Sequence, residues 1–144
     1  MVAVAAQSAF VAKYATEATA ALGIVKKLDQ LPLYFSIGVA NGLLPLLAFN
    51  HSAGNEARRR EAFRFGAAIS VGFALFCVIL YEGFAPQLAS LFISDAQTIA
   101  YGAAFLRRMV LAMPFMAFCY PMIIQFQAMG RVREALITLS LIHI

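Results

Sequence analysis

Three long stretches of the chain carry no charged side chain, and this feature limits the folds open to it more than any other. They are residues 30–50, 65–81 and 109–130, and after the second the apolar character resumes past Glu82 as far as Ile93. The hydrocarbon core of a bilayer is about 30 Å thick and a helix rises about 1.5 Å per residue, so about 20 apolar residues cross it. Each stretch therefore predicts a membrane-spanning helix.

The composition indicates a lipid rather than an aqueous environment. Hydrophobic residues make up 62% of the 144 residues and charged residues 12%, whereas soluble domains average about 45–50% and about 25%. A soluble fold of this size could not bury so much apolar surface, and lone strands cannot pair their backbone groups in lipid. We therefore predict an all-α membrane protein, a partial bundle of about four transmembrane helices. The short apolar run 1–12 is interpreted as the second half of one of them.

The basic residues are few and cluster between the apolar stretches. The net charge is +4, but this clustering is typical of cytoplasmic loops and not of a nucleic-acid-binding surface. Alternation of the spans places the turn at Arg131 and Arg133 on the same side as the main cluster. In loops, that side has six basic residues against Lys13, or against five if Lys26, Lys27, Arg107 and Arg108 are counted with Lys13. The main cluster predicts a basic loop facing anionic lipid, made of Arg58, Arg59, Arg60 and Arg64.

The sequence gives no sign of a catalytic or metal site. Cys77 and Cys119 lie in apolar stretches without Cys or His at ligand spacing, so we interpret both as buried apolar residues. No phosphate-binding glycine loop and no catalytic triad is recognisable. We therefore expect no enzyme activity, no metal and no cofactor.

Local patterns predict three structural details. Ser94 and Gln97 have the spacing of a capping box, so a helix is expected to begin at Ser94. Gly38 and Gly42 have a spacing that lets a neighbouring helix backbone approach closely. Prolines inside spans mark kinks whose freed carbonyls are satisfied by neighbouring helices or water; they are Pro32, Pro45, Pro86, Pro114 and Pro121.

Several motifs follow one another between Ala18 and Leu139. A glycine- and proline-bearing helix over 38–46 runs into the loop Phe49-Asn50-His51-Ser52-Ala53-Gly54-Asn55. Further motifs are Phe92-Ile93-Ser94-Asp95, Phe105-Leu106-Arg107, Pro114-Phe115 and Phe126-Gln127-Ala128-Met129-Gly130. In this order they resemble the multidrug and toxic compound extrusion (MATE) family, and the helix leading into the Tyr/Phe-Asn-x-x-(small)-Gly loop is the most specific element.

The resemblance implies a fragment of a larger transporter. Family members have twelve transmembrane helices in two six-helix lobes, and Lys26-Lys27 together with the run 133–136 favours the C-terminal lobe. We therefore expect residues 1–140 to be part of that lobe, the end of one helix plus three full spans, with the rest of the transporter chain missing.

The sequence departs from the family pattern in two places. Members usually have Gln where Asn41 stands, and they usually continue into an Arg-Gln pair where this chain ends in Leu139-Ser140-Leu141-Ile142-His143-Ile144. That hexapeptide matches the translation of a common sequencing adapter. We therefore expect residues 139–144 to be an artefact tail.

Polar side chains inside the spans are the candidate functional residues, because such groups are costly in lipid and usually face water or each other. On the first span they recur at three- and four-residue spacing, which predicts either the wall of a substrate cavity or contacts between helices; they are Lys27, Gln30, Tyr34 and Asn41, with Pro45 on the same face. On the last span Gln125 shares a face with Pro114 and Pro121, and these two prolines and Pro45 are expected to bend their helices. Asp29 is the candidate for cation coupling, with Lys26 as an ion-pair partner, or else an anchor in the headgroup zone.

The resemblance to the MATE family implies secondary active transport. It is an antiport coupled to H⁺ or Na⁺ that exports amphipathic or cationic drugs or metabolites across the cell membrane, the plasma or inner membrane, which the chain crosses several times. A lipid-linked oligosaccharide flippase of the same superfamily is an alternative, because Lys26, Lys27 and Arg107 suit an anionic cargo. A small non-transporting membrane protein is another. The expected partners are membrane lipids and a small-molecule substrate, without nucleic acid.

Overall fold

A computed structural model of the protein describes residues 16–143, and the side chains of residues 16–140. Within that part the chain forms five helices and no strand. We number them α1 (Thr16–Ser52), α2 (Glu56–Ser90), α3 (Ala96–Val110), α4 (Met113–Ala128) and α5 (Val132–His143). The all-α prediction is confirmed. The predicted half-helix over 1–12 and Lys13 lie outside the described residues.

Among the residues that the structure describes, two helices are long and apolar enough to cross a membrane. Helix α1 has 37 residues and α2 has 35, so at about 1.5 Å per residue each exceeds the roughly 30 Å of a hydrocarbon core. Both begin earlier than the uncharged stretches, α1 at Thr16 instead of Gln30 and α2 at Glu56 instead of Phe65. The added turns contain Glu, Lys and Arg, which are good helix formers and whose long side chains reach the headgroups.

The third predicted span is divided into two helices. Helices α3 and α4 are separated by the two residues Leu111 and Ala112, and the pair is bent by 46° at this break. Pro114 explains the position of the break, because a proline fits the first turn of a helix, where an N–H has no intrahelical partner, but not its interior. Read as one bent segment, the pair is a third candidate span.

Helix α3 begins one residue later than the capping box predicts. Asp95 is the N-cap residue, and its carboxylate accepts hydrogen bonds from the hydroxyl and the N–H of Thr98, both at 2.7 Å. These two bonds, the hydroxyl first, hold the pKa of Asp95 below its usual value. The prediction of Ser94 was wrong because a charged acceptor binds the positive end of a helix more strongly than a hydroxyl does.

Pro86 coincides with a kink in α2. Phe84 departs from helical geometry, with φ −118° and ψ 20°. Pro86 has no N–H to donate to the carbonyl of Glu82, four residues earlier. Arg107 of α3 donates from Nε to that carbonyl at 3.3 Å, and the same Nε lies 3.9 Å from the Glu82 carboxylate. A side chain of another helix therefore replaces the bond that the proline removes.

Pro32 in α1 has the same consequence. It leaves the carbonyl of Leu28 without its usual donor, and the hydroxyl of Tyr81 in α2 donates to that carbonyl at 2.9 Å. Tyr81 is only 2% exposed, so the bond is shielded from solvent. The prediction that neighbouring helices satisfy proline-freed carbonyls is confirmed at Pro32 and Pro86.

The described residues form two compact units. The first comprises residues 16–31 and 76–113, and the second residues 32–75 and 114–143. In the first unit, a Cβ on Gly102 would lie 3.4 Å from Ala89 and 3.9 Å from Ala21, so small residues bring α1, α2 and α3 together. In the second unit, a buried cluster joins α1 to α4; it consists of Ala40, Leu43, Leu47 and Ile124.

The close contact between α1 and α2 in the second unit is made by Gly66. A Cβ at this position would overlap Cδ1 of Leu43 and lie 2.9 Å from its Cγ. Gly38 and Gly42, by contrast, would meet no atom within 4 Å. The predicted backbone approach at these two glycines is therefore wrong for the described part of the chain, where both are exposed.

Two turns of the second unit contain a glycine with a left-handed backbone. Gly54 lies in the turn after α1 and Gly130 in the turn after α4, and each has φ 70°. The N–H of Asn55 donates to the carbonyl of Asn50 at 2.8 Å, and the corresponding bond follows Gly130. This is the Schellman arrangement, which requires a left-handed residue and so favours glycine.

We expect Tyr81→Phe to destabilise the protein by about 1 kcal/mol, because the Leu28 carbonyl loses its donor and hydrogen bonds in membrane proteins contribute about 0.6 and at most about 1.7 kcal/mol. Unfolding by SDS in mixed micelles measures the change. Tyr101→Phe removes a hydroxyl from a more exposed tyrosine of the same unit and should have a smaller effect. In a Pro32→Ala background the helix regains the missing N–H, so the loss caused by Tyr81→Phe should shrink. Equal losses in both backgrounds would contradict the role of Tyr81.

Gly66→Ala should destabilise the protein by roughly 1–3 kcal/mol, because the added methyl group overpacks against Leu43. The control is Gly72→Ala, also in α2, where a Cβ would meet nothing within 4 Å. That variant should be neutral or stabilising, since alanine favours a helix over glycine by up to about 1 kcal/mol. If both variants unfold at the same SDS fraction, the Leu43 side chain moves aside without cost and the packing argument is wrong.

Candidate functional site

The polar residues predicted on α1 are all exposed in the structure. Lys27 and Gln30 are exposed in the first unit. In the second unit Tyr34, with 61% of its surface exposed, and Asn41 are seven residues apart and so lie on one face of the helix. Pro45 is exposed one turn further on. The described part of the chain therefore leaves these side chains uncovered.

Asn41 is poorly suited to contact with lipid. It stands near the middle of the uncharged stretch 30–50, and its side chain is exposed. Pro45, four residues later in the same helix, has no N–H to donate to the backbone carbonyl of Asn41. A side-chain amide and a backbone carbonyl facing hydrocarbon would each cost several kcal/mol. This turn of α1 therefore requires water, a ligand or further polar groups against it.

The candidates on the last span lie in α4 and are more buried. Gln125 is half-buried and Pro121 is buried. Pro114 lies in the first turn of α4, directly after the break. Helix α4 continues through Pro121, as α1 continues through Pro45. The functional bending assigned to these three prolines stays a prediction.

Asp29, the candidate for cation coupling, is half-buried in the first unit. It follows Leu28, whose carbonyl accepts the Tyr81 hydroxyl, and its carboxylate lies within electrostatic range of Tyr81. The sequence did not indicate this neighbour. The ion pair with Lys26 stays a prediction.

The predicted basic loop is a helix. Residues 58–64 form the first two turns of α2, which begins at Glu56. The loop prediction was wrong because the charges were read as a break between spans, although Glu, Ala and Arg in this run all favour a helix. The true turn is confined to residues 53–55.

The structure separates the four arginines into two groups. Arg59 is buried, and its Nε and Nη2 donate to one carboxylate oxygen of Glu56 at 2.9 and 2.6 Å. His51 lies 3.0 Å from the other oxygen of Glu56. Glu56 therefore joins the start of α2 to His51 at the end of α1, and Arg59 binds the same carboxylate from within α2. The other three arginines are exposed: Arg58, Arg60 and Arg64.

The sequence did not predict the donors to the two proline-freed carbonyls or the carboxylate that binds Arg59. The sequence shows that the carbonyls four residues before Pro32 and Pro86 lack their usual donors. It does not show that Tyr81 and Arg107 replace these donors. Which side chain reaches those carbonyls depends on the fold. Glu56 stands three residues before Arg59, a spacing that permits a pair on a helix, but the segment was not recognised as helical.

No group of three or more His, Cys, Asp or Glu side chains in the described part could hold a metal ion. The chemistry that the arrangement supports is the binding of polar or charged groups by side chains inside a membrane. That is the chemistry of a translocation pathway, in which polar residues of spanning helices are typically found.

The comparisons with known proteins agree with this interpretation. A family model, MatE, matches residues 2–144, which is almost the whole chain. No curated protein and no solved structure matches. Together with the apolar helices α1 and α2, the match confirms the resemblance on which the sequence analysis relied. The chain therefore belongs to the MatE family of membrane transporters.

Proposed function

We propose that the chain is part of a secondary active exporter in the cell membrane. The transporter exchanges H⁺ or Na⁺ for amphipathic or cationic drugs or metabolites. Family membership supports transport as such. The direction of transport, the coupling ion and the charge of the substrate are our proposal and do not follow from family membership.

The observation that carries the proposal is the exposed polar turn at Asn41 and Pro45. This turn presents the side-chain amide of Asn41 in the middle of an otherwise apolar span. It also presents the backbone carbonyl of Asn41, which has no helical donor because Pro45 lacks an N–H. Transporters build binding sites near the bilayer midplane from interrupted helices whose free backbone groups face a cavity. Tyr34, on the same face, adds an aromatic surface that can attract a cation.

Asp29 is the proposed coupling residue. An acid that exchanges a proton or a sodium ion must be reachable from water yet shielded from lipid, and Asp29 is half-buried. The Tyr81 hydroxyl is already committed to the Leu28 carbonyl. It can therefore fix the backbone beside Asp29 while the carboxylate changes partner.

A flippase for an anionic lipid-linked cargo is the second candidate. Lys27 is exposed, as this alternative requires. Arg107, however, is placed against the carbonyl and carboxylate of Glu82, which reduces the positive charge available to a cargo. Competition between a lipophilic cation and an anionic pyrophosphate lipid for the reconstituted transporter distinguishes the two candidates.

In a full-length transporter that contains this segment, Asn41→Leu should raise the KM for efflux of a lipophilic cation about 3- to 20-fold. This range corresponds to the loss of one hydrogen bond worth about 0.6–1.7 kcal/mol in a membrane protein. Efflux from proteoliposomes under an imposed pH or sodium gradient provides the measurement. Gln87→Leu makes the same kind of change at an exposed position of α2 and should leave KM unaltered.

The alternative role of Asn41, a contact that holds helices together, predicts a different result. In that case Asn41→Leu would lower the resistance to SDS unfolding and leave the KM of the surviving protein unchanged. An unchanged KM would therefore contradict the proposal that Asn41 lines the substrate cavity.

We expect the 144-residue chain alone, reconstituted in liposomes, to give no gradient-dependent efflux. Alternating access requires two halves that move against each other around a binding site, and the described residues supply at most three spans. The full-length transporter in the same liposomes is the positive control. Sustained efflux by the short chain would show that the fragment is sufficient and would contradict the two-lobe mechanism.

A further inference from the structure

The exposed arginines at the start of α2 border a groove. It has a volume of about 590 Å³ and is lined by Ala57, Arg60, Glu61, Arg64, Phe65 and Ala68. All six lining residues belong to α2, so the groove is an open depression along one face of this helix. The two alanines provide the space, and the two arginines, four residues apart, stand on the same face of the helix. We call this feature the α2 groove.

The charge of the α2 groove is not cancelled by its own acid. Its lining has two arginines and one glutamate. A neighbouring groove of about 370 Å³ shares Glu61 and Phe65 and adds Arg58. Three positive charges minus one leave +2 around Glu61. The remaining acid of this segment, Glu56, is bonded to Arg59 and His51, so it does not contribute to the neutralisation.

The α2 groove lies where the helix changes from charged to apolar. Arg64 is the last charged residue before the uncharged stretch 65–81, and Phe65, 67% exposed, is the first residue of that stretch. In a spanning helix this boundary falls at the level of the lipid headgroups, where arginine and aromatic side chains are characteristically found. A ligand in the α2 groove would meet guanidinium groups at one end and an apolar surface at the other.

We propose that the α2 groove is a binding site for one anionic phospholipid. The guanidinium groups of Arg60 and Arg64 bind the phosphate, since their paired N–H donors match two phosphate oxygens. The start of the acyl chains lies against Phe65 and Ala68. The ion pair between the buried Arg59 and the half-exposed Glu56 is not part of the site but holds the first turn of α2 in place. The site does not depend on the proposed direction or substrate of transport.

The test is a titration of the purified 144-residue chain, in zwitterionic detergent, with short-chain phosphatidylglycerol, followed by native mass spectrometry. We expect one lipid to bind with preference over phosphatidylcholine. The doubly substituted Arg60→Gln/Arg64→Gln chain should bind it about 25-fold more weakly, because each arginine near anionic lipid contributes about a fivefold factor. Arg60→Lys/Arg64→Lys keeps the charge but loses the planar donors, and should fall between this variant and the original chain.

The matched control is Arg131→Gln/Arg133→Gln. It removes the same charge from exposed positions of the same unit, outside the α2 groove, and should change the affinity by less than the groove variant does. Equal weakening by both variants would show that the attraction is diffuse, and the proposal would fail.

Glycerol phosphate, the headgroup without acyl chains, should not compete at the same concentration. If it competes as well as the lipid, the groove is a free-anion site and the proposed lipid is wrong. Circular dichroism checks that the variants are folded, which their exposed positions favour.

Discussion

The need to satisfy backbone carbonyls in an apolar environment governs this structure. Lipid offers no hydrogen-bond donors, so a carbonyl that loses its donor to a proline needs a replacement from another side chain, water or a ligand. At Pro32 the replacement is the buried Tyr81 hydroxyl, and at Pro86 it is the Arg107 guanidinium. These two bonds tie α1 to α2 and α2 to α3 in the first unit. The positions of the prolines in the sequence thus help to determine which helices must be neighbours.

Much of the helical architecture could be predicted because it depends on local sequence. Length and hydropathy were sufficient to predict the membrane-spanning stretches of α1 and α2. The break before α4 and the N-cap at Asp95 were missed, because each depends on a competition between two locally acceptable solutions. At the start of α3 the carboxylate of Asp95, and not the hydroxyl of Ser94, caps the helix. Near Pro114 the chain forms two helices separated by a break instead of one kinked helix.

The candidate site was less predictable for a different reason. The spacing of Tyr34 and Asn41 established that they share a face, and the structure shows that this face is exposed. Helical spacing cannot specify the partner of a side chain on another helix, so Tyr81 beside Asp29 was not foreseen. Helical spacing also could not show which of the four arginines between residues 58 and 64 is buried. Only packing shows that Arg59 is buried while Arg60 and Arg64 are exposed.

The two prolines of α1 illustrate how one chemical feature can serve structure in one place and function in another. Pro32 is buried, and the carbonyl that it frees is bonded to a tyrosine from α2. Pro45 is exposed, and the residue whose carbonyl it frees is Asn41, itself exposed and polar. In the first arrangement the freed carbonyl of Leu28 and its donor, Tyr81, both lie in the first unit. The second presents hydrogen-bonding groups outward from the middle of a span, where lipid would penalise them most. A helix that satisfies one freed carbonyl internally and presents the other on its surface is suited to a transporter, in which the outward-facing turn meets water, substrate or the rest of the translocation pathway.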